Sequence, residues 1–229
     1  MADISIFTSL GLILTTLISV WLFFKASNHK KTLYGIIIWM LIVGVLGVTG
    51  FYQKLGTFPP RFTLLLAPTI LFILILFTNK KGKKFIDSLS LKYLNIVHIV
   101  RIPVEITLYY IFLGGLIPDL MTFDGYNYDI ISGITAPIVY YFVFVKKIIG
   151  RKGLLLWNIV CLGLLINILV IAVLSAQTPF QQLAFDQPNI GVTYFPFVWL
   201  PTVIVPIVLF SHLASIRQLV VRKKAPNNV

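Results

Sequence analysis

The chain has 229 residues, of which 58% are hydrophobic and only 11% charged, with 19 Lys and Arg against 7 Asp and Glu. A soluble domain runs nearer to about 45–50% apolar and about 25% charged, so this composition excludes a water-soluble globule and predicts an all-α integral membrane protein. The formal charge of +12 suggests nucleic acid as a partner, and the placement of those charges excludes it.

A membrane-crossing helix needs about 20 mostly apolar residues. Seven stretches qualify in chain order: Ile4–Phe24, Leu33–Tyr52, Phe62–Thr78, Lys92–Ile117, Asp129–Val145, Gly153–Ala176 and Tyr194–Ile216. They make one polytopic domain over residues 1–229, because no Pro-, Gly- or Ser-rich linker separates a second. The first span has no basic residue before it and no small-x-small site after it, so it is expected to remain a helix rather than act as a cleaved signal. Trp21, Tyr34, Tyr52, Tyr128 and Tyr194 fall near span ends, where aromatic rings favour the headgroup zone. The lone Cys161 excludes an internal disulfide.

The connections divide by charge. Lys25, Lys30 and Lys31 follow the first span; Lys80, Lys81, Lys83, Lys84 and Lys92 surround the start of the fourth. Lys146, Lys147, Arg151 and Lys152 follow the fifth, and Arg217, Arg222, Lys223 and Lys224 end the chain. The other side carries only Lys54 and Arg61, and Arg101 lies inside a span. Basic connections stay cytoplasmic, so the N-terminus is expected outside and the C-terminus inside a bacterial inner membrane. Asp3, Asp119, Asp124, Asp129 and Asp186 then all fall outside. The basic excess is thus a topology signal and an attraction to anionic headgroups at the cytoplasmic face.

Seven spans in this sense permit a 3+1+3 plan, in which the fourth inverts the chain between two parallel triplets. Phe62, Pro68, Thr69, Leu76 and Phe77 in the third span align without gaps with Phe195, Pro201, Thr202, Leu209 and Phe210 in the seventh. GIIIW at 35–39 likewise matches GLLLW at 153–157, whereas the first and fifth spans show no such likeness. The plan is similar to that of small sugar-transporter and lysosomal-exporter folds, although the Pro-Gln dipeptide of the exporter type is absent.

The fourth span contains HIVRIPVEITLYY. Asn95, His98, Arg101, Glu105 and Tyr109 recur at spacings of three and four, which puts them on one helical face. Counted from Lys92 at about 1.5 Å per residue, Arg101 lies about 14 Å deep and Glu105 about 20 Å deep. A charge at such depth costs about 2.5–3.5 kcal/mol to insert, so these groups are expected to pair with each other or to line a wet cavity. Pro103 frees the Ile99 carbonyl, and a kink is expected there. His98 and His212 fall at comparable depth on separate spans and could ligate haem or a metal. No other cofactor is implied: there is no HExxH or Cys-pair motif, and the seventh span has no Lys for a retinal Schiff base.

Two connections on the acidic side, 118–129 and 177–197, are rich in aromatics, amides and acids. Asp119, Asp124, Asn127, Asp129, Gln181, Gln182, Asp186 and Trp199 could form the mouth of an outward-facing pocket. Alternatively Asp129 caps the fifth span and Asp124-Gly125 makes a turn. Asp124, Asn127 and Asp129 also loosely resemble an oxygen-ligand loop for calcium. Asn158 and Asn167 read as helix-to-helix hydrogen-bonding residues.

HIVRIPVE, LMTFDGYNYDIISGITAP and FQQLAFDQPNIGVTYFPFVWLP resemble a family of uncharacterised bacterial inner-membrane proteins, over most of the chain. That resemblance implies no activity. The residues themselves predict binding or translocation of a small solute through a polar cavity beside the fourth span, coupled to protons through Glu105. An embedded enzyme using His98 and Glu105 as acid and base, and a sensor or assembly subunit, are the alternatives. Reporter fusions after residue 229 should read cytoplasmic and fusions within 177–193 periplasmic; the reverse pattern would invert every assignment of side.

Overall fold

The computed structural model describes residues 4–221, so Asp3, Arg222, Lys223 and Lys224 lie outside the described residues. Within them the regular structure is all helical and contains no strand. In chain order the helices are α1 (Ile6–Ser27), α2 (Lys30–Val48), α3 (Ala67–Thr78), α4 (Lys80–Ser88), α5 (Leu91–Leu113), α6 (Ile130–Val145), α7 (Arg151–Leu174) and α8 (Leu200–Val221). Five of these, α1, α2, α5, α7 and α8, are long and apolar enough to cross a membrane. Ile6, Leu10, Leu14, Leu17 and Trp21 line one face of α1 and are all exposed, as suits a helix whose surroundings are apolar.

Helix α5 sits at the centre, in contact with α1, α6 and α8. Its Leu94, Val97, Val104, Leu108 and Ile111 repeat at helical spacing and are buried in the core cluster. Asn95, His98, Arg101 and Glu105 occupy another face and are equally buried. Pro103 has no N–H to give the Ile99 carbonyl four residues earlier, and the helix tightens there into a 3-10 turn over Val97–Val100. The fourth span was expected to run to Ile117. It stops at Leu113 because Gly115 adopts a left-handed conformation (φ 75°), and the Leu116 N–H turns back to the Ile111 carbonyl at 3.2 Å.

Prolines shape the other ends. The seventh span was expected from Tyr194, yet α8 begins at Leu200, with Pro201 in the first turn, where its missing donor costs nothing. Pro206 leaves the Thr202 carbonyl without its helical donor, and Trp39 of α2 fills the gap, donating Nε1–H at 3.0 Å. The third span is a 3-10 turn, Arg61–Leu65, followed by α3.

The lysine-rich connection after the third span is a helix rather than the loop expected from sequence. Asn79 caps α4 by accepting from the Gly82 N–H, and Ile86 is fully buried. Arg217 of α8 holds Asp87 through two hydrogen bonds of 3.1 and 3.0 Å. Gln218 donates to the Ile86 and Leu89 carbonyls at 2.7 and 2.9 Å, closing the helix end. Trp39→Phe keeps the ring but strands the Thr202 carbonyl, so it should destabilise the protein by about 1–3 kcal/mol in thermal or denaturant unfolding in detergent; an unchanged midpoint would show that the bond holds nothing.

Candidate functional site

The polar face of α5 meets three other helices in one buried cluster. Arg101 and Asp129 form an ion pair, and Asp129 stands directly before α6. Arg101 Nη2 also approaches His212 Nε2 of α8 at 3.1 Å, and Nη1 approaches the Cys161 carbonyl of α7 at 3.5 Å. Arg101, Glu105 and Asp129 are only 2%, 1% and 4% exposed, so the charges are sealed from the surface of the molecule.

The direction of every proton in this chain follows from donor chemistry. A guanidinium has no lone pair to offer, so His212 Nε2 must accept. His212 therefore carries its proton on Nδ1 and donates it to Asn158 Oδ1 at 2.9 Å. The Asn158 amide in turn donates to the Leu154 carbonyl at 2.9 Å, within α7.

Glu105 is held separately. Asn127 Nδ2 donates to Glu105 Oε2 at 2.6 Å and to the Met121 carbonyl at 3.0 Å. Asn127 Oδ1 accepts from the Asp129 N–H at 3.1 Å, so all the capacity of this amide for donation is used. The expected pairing of Arg101 with Glu105 is thus replaced by two pairings with the turn before α6. The spacing explains it: Arg101 and Glu105 are separated by about 6 Å along their helix axis, and Asn127 and Asp129 stand two residues apart in one turn. Asn127 and Asp129 therefore reach both at once. Their chain runs antiparallel to α5, which matches Asn127 to Glu105 and Asp129 to Arg101.

Close approach of α6 makes this possible. A Cβ on Gly133 would lie 3.0 Å from the Ile102 nitrogen and 3.2 Å from Arg101 Cβ. Only glycine allows α6 to cross α5 at the level of the guanidinium.

The residues expected at an outer mouth divide accordingly. Asn127 and Asp129 are buried in the cluster, whereas Asp119, Asp124, Gln182 and Asp186 are exposed. Asp129 occupies the N-cap position of α6 as expected, but its carboxylate turns to Arg101 instead of capping, since a charged partner outweighs a backbone N–H. Asn127 and Asp129 are so committed that they do not join Asp124 in a calcium loop. Gln181 hydrogen-bonds its own loop at the Leu183 and Ala184 carbonyls. Trp199 packs on Phe195 and donates to the Met40 carbonyl of α2 at 3.0 Å, away from the cluster. Tyr109 stacks on Phe123 with ring centroids 5.0 Å apart, at the C-terminal end of the stripe.

His98 and His212 do meet, as the sequence suggested, but face to face: their rings stack at 3.8 Å and 17°. Nitrogen lone pairs lie in the ring plane, so this stacking does not aim both histidines at a single ion, and among the described residues no group of three or more His, Cys, Asp or Glu converges. Trp157 stands edge-on to His98 and donates to Thr135 Oγ1 at 3.0 Å. Asn158 makes the expected helix-to-helix bond, whereas Asn167 is exposed and donates to the Tyr126 carbonyl in the connection before α6. Sequence reasoning missed Asn158 and Ser132 as cluster members; Ser132 Oγ lies 3.5 Å from Asp129 Oδ1. Their common signal is a small polar residue on the buried face of a span.

One part of the cluster is unsatisfied. Both side-chain polar atoms of Asn95, both ring nitrogens of His98, and Arg101 Nε are buried without a hydrogen-bond partner. All five belong to the first half of α5.

Arg101→Ala or Asp129→Ala alone strands a buried charge and should cost about 3–5 kcal/mol, with the double change costing less than the sum. The same cycle on Arg101 and Glu105 should show the smaller coupling, since Glu105 bonds to Asn127. Equal couplings in the two cycles would refute the assigned pairing.

No curated protein and no solved structure matches the chain. Residues 58–220 match the family described as Domain of unknown function (DUF8737). That stretch runs from before α3 to near the end of α8 and contains every member of the cluster, and with well over half of its length matched the chain belongs to the DUF8737 family.

Proposed function

We propose that the protein crosses a bacterial inner membrane seven times, N-terminus outside and C-terminus in the cytoplasm, and binds or moves a small solute at the cluster on α5 in exchange with a proton. Lengths support seven crossings. The 3-10 turn Arg61–Leu65 and α3 together rise about 28 Å, and α6 about 24 Å, against an apolar core about 30 Å thick. The central position of α5, against α1, α6 and α8, supports a 3+1+3 plan with α5 as the inverting helix.

The observation that carries the function is the unpartnered half of α5. Each buried polar atom left without a hydrogen bond costs about 1–3 kcal/mol. A cluster serving only to pin helices together gains nothing from five such atoms, whereas a binding stripe needs them. The charges support proton exchange: the cluster holds one guanidinium and two carboxyls, Asp129 paired to Arg101 and Glu105 bonded to Asn127, while His212 is committed as an acceptor. This site accommodates one further positive charge. The outer half is shut by Asn127, Asp129 and the Tyr109–Phe123 stack, so access is proposed from the cytoplasmic half, beside Asn95.

A second reading, a purely structural anchor, is favoured by the near-complete burial of the charges. Labelling separates the two. In a Cys161→Ser background, Asn95→Cys should react with a membrane-impermeant maleimide in inside-out vesicles, and Tyr109→Cys should not react in right-side-out ones. In proteoliposomes an imposed pH gradient should decay through the wild type and not through Glu105→Gln. If Asn95→Cys reacts from neither side and the gradient holds in both, the structural anchor is the correct account.

A further inference from the structure

A cavity lies away from the charge cluster, between α1, α2, α3 and α8. Its volume is about 670 Å³, within the range of about 300–1,000 Å³ typical of small-molecule sites. Phe23, Trp39, Phe72, Ile73, Phe85 and Phe210 supply most of its walls. Of its three threonines, Thr69 donates to the Leu66 carbonyl at 2.9 Å and Thr202 to the Val198 carbonyl at 2.6 Å, while Thr32 directly follows Lys31. The Thr202 carbonyl, freed by Pro206, is taken by Trp39, which also lines the cleft. The cleft therefore offers a ligand almost nothing but apolar contact.

Its rim is the opposite. Lys31 lines it and is exposed, and an adjoining depression that shares Phe72, Leu76 and Phe85 adds Lys80 and Lys81. All three lysines are exposed, and no acidic side chain lines either surface. Along α2 the distance from Lys31 to Trp39 is eight residues, or about 12 Å. The shape is an apolar slot about 12 Å long with a cationic rim. A free anion would find almost no hydrogen-bond donor along its walls, and a neutral hydrocarbon would gain nothing from the rim.

We propose that this slot is a binding site for an anionic membrane phospholipid, with one acyl chain between α2, α3 and α8 and the headgroup phosphate at Lys31, Lys80 and Lys81. The assignment stands apart from the solute site, since no residue of the charge cluster lines the slot. Helix α4 has a defined part in it: anchored to α8 through Asp87 and Arg217, it carries Lys80 and Lys81 to the rim, and Phe85 to the wall.

Gly35 makes the proposal testable without damage to the fold. It lines the slot, and a Cβ there would meet nothing within 4 Å, so a larger side chain grows into the cavity rather than into a neighbour. Binding of phosphatidylglycerol and phosphatidylcholine to the purified full-length protein is compared by native mass spectrometry. The wild type should hold phosphatidylglycerol at least about tenfold more tightly, since each lysine beside an anionic headgroup contributes roughly fivefold. Gly35→Leu should lose tight binding of both lipids while keeping the wild-type melting temperature. Lys31→Gln combined with Lys80→Gln and Lys81→Gln should equalise the two lipids without abolishing either. Equal affinity of the wild type for both lipids, or unchanged binding in Gly35→Leu, would overturn the assignment. So would a dimer that Gly35→Leu dissociates while lipid binding persists, because the slot would then be an interface between two copies.

Discussion

A guanidinium in the middle of an apolar bundle is the constraint to which the central helices answer. Arg101 cannot shed its charge, and leaving it unpaired in a low-dielectric interior would cost more than most single contacts return. Its partners come from the turn before α6, from the backbone of α7 and from α8. One side chain thereby fixes three helices against a fourth. The pairing also sets the closest approach of α5 and α6, where Gly133 leaves no space for a methyl group. The fixed tautomer of His212 extends the same constraint to Asn158, so that α7 and α8 are joined by a bond whose direction the arginine dictates.

The same rule, that polar groups in an apolar setting must be met from within, accounts for the amides of the connection 177–197. Helix ends leave carbonyls without donors. Gln187 donates to the Phe112 and Ile117 carbonyls at 3.1 and 2.6 Å and so closes the end of α5. Asn189 does the same for α7 at the Ala172 carbonyl, 3.0 Å away. On the basic end Gln218 serves α4, and Arg151 serves the Leu219 carbonyl. Gln187 and Asn189 are thus helix caps, while Gln182, Asp119, Asp124 and Asp186 of the expected mouth stay exposed.

The membrane-type composition, the order of the apolar stretches and the buried stripe of α5 were all legible in the sequence, because apolar length and three-four spacing are local signals. The break beside Pro103 was legible for the same reason, since a missing donor acts within its own turn. The partner of Arg101 was not. Two carboxyls lay within plausible reach, one four residues away and one across a connection, and only the meeting of α5 with the turn before α6 decides between them. Helix α4 was hidden by its lysines, which read as a loop because four charges in five residues mask the Phe85 and Ile86 face. The stacking of His98 on His212 depends on the relative rotation of two distant helices, which no pattern within either one fixes.

Helix α8 connects the charge cluster and the apolar slot. Phe210 faces the apolar slot and touches the rings of Phe23, Phe77 and Phe85. His212, two residues on and so about 200° around the helix, faces Arg101 and Asn158. Between them the helix has little slack: Ser211 is buried, and Arg217 and Gln218 tie its later turns to α4. A rotation of α8 that widened the slot would turn His212 away from the guanidinium. A shift that broke the bond to Arg101 would move Phe210 in the wall of the slot. The two faces are held in register by one helix, and the hydrogen bond from Trp39 to the Thr202 carbonyl, at the start of that helix, sets where the register begins.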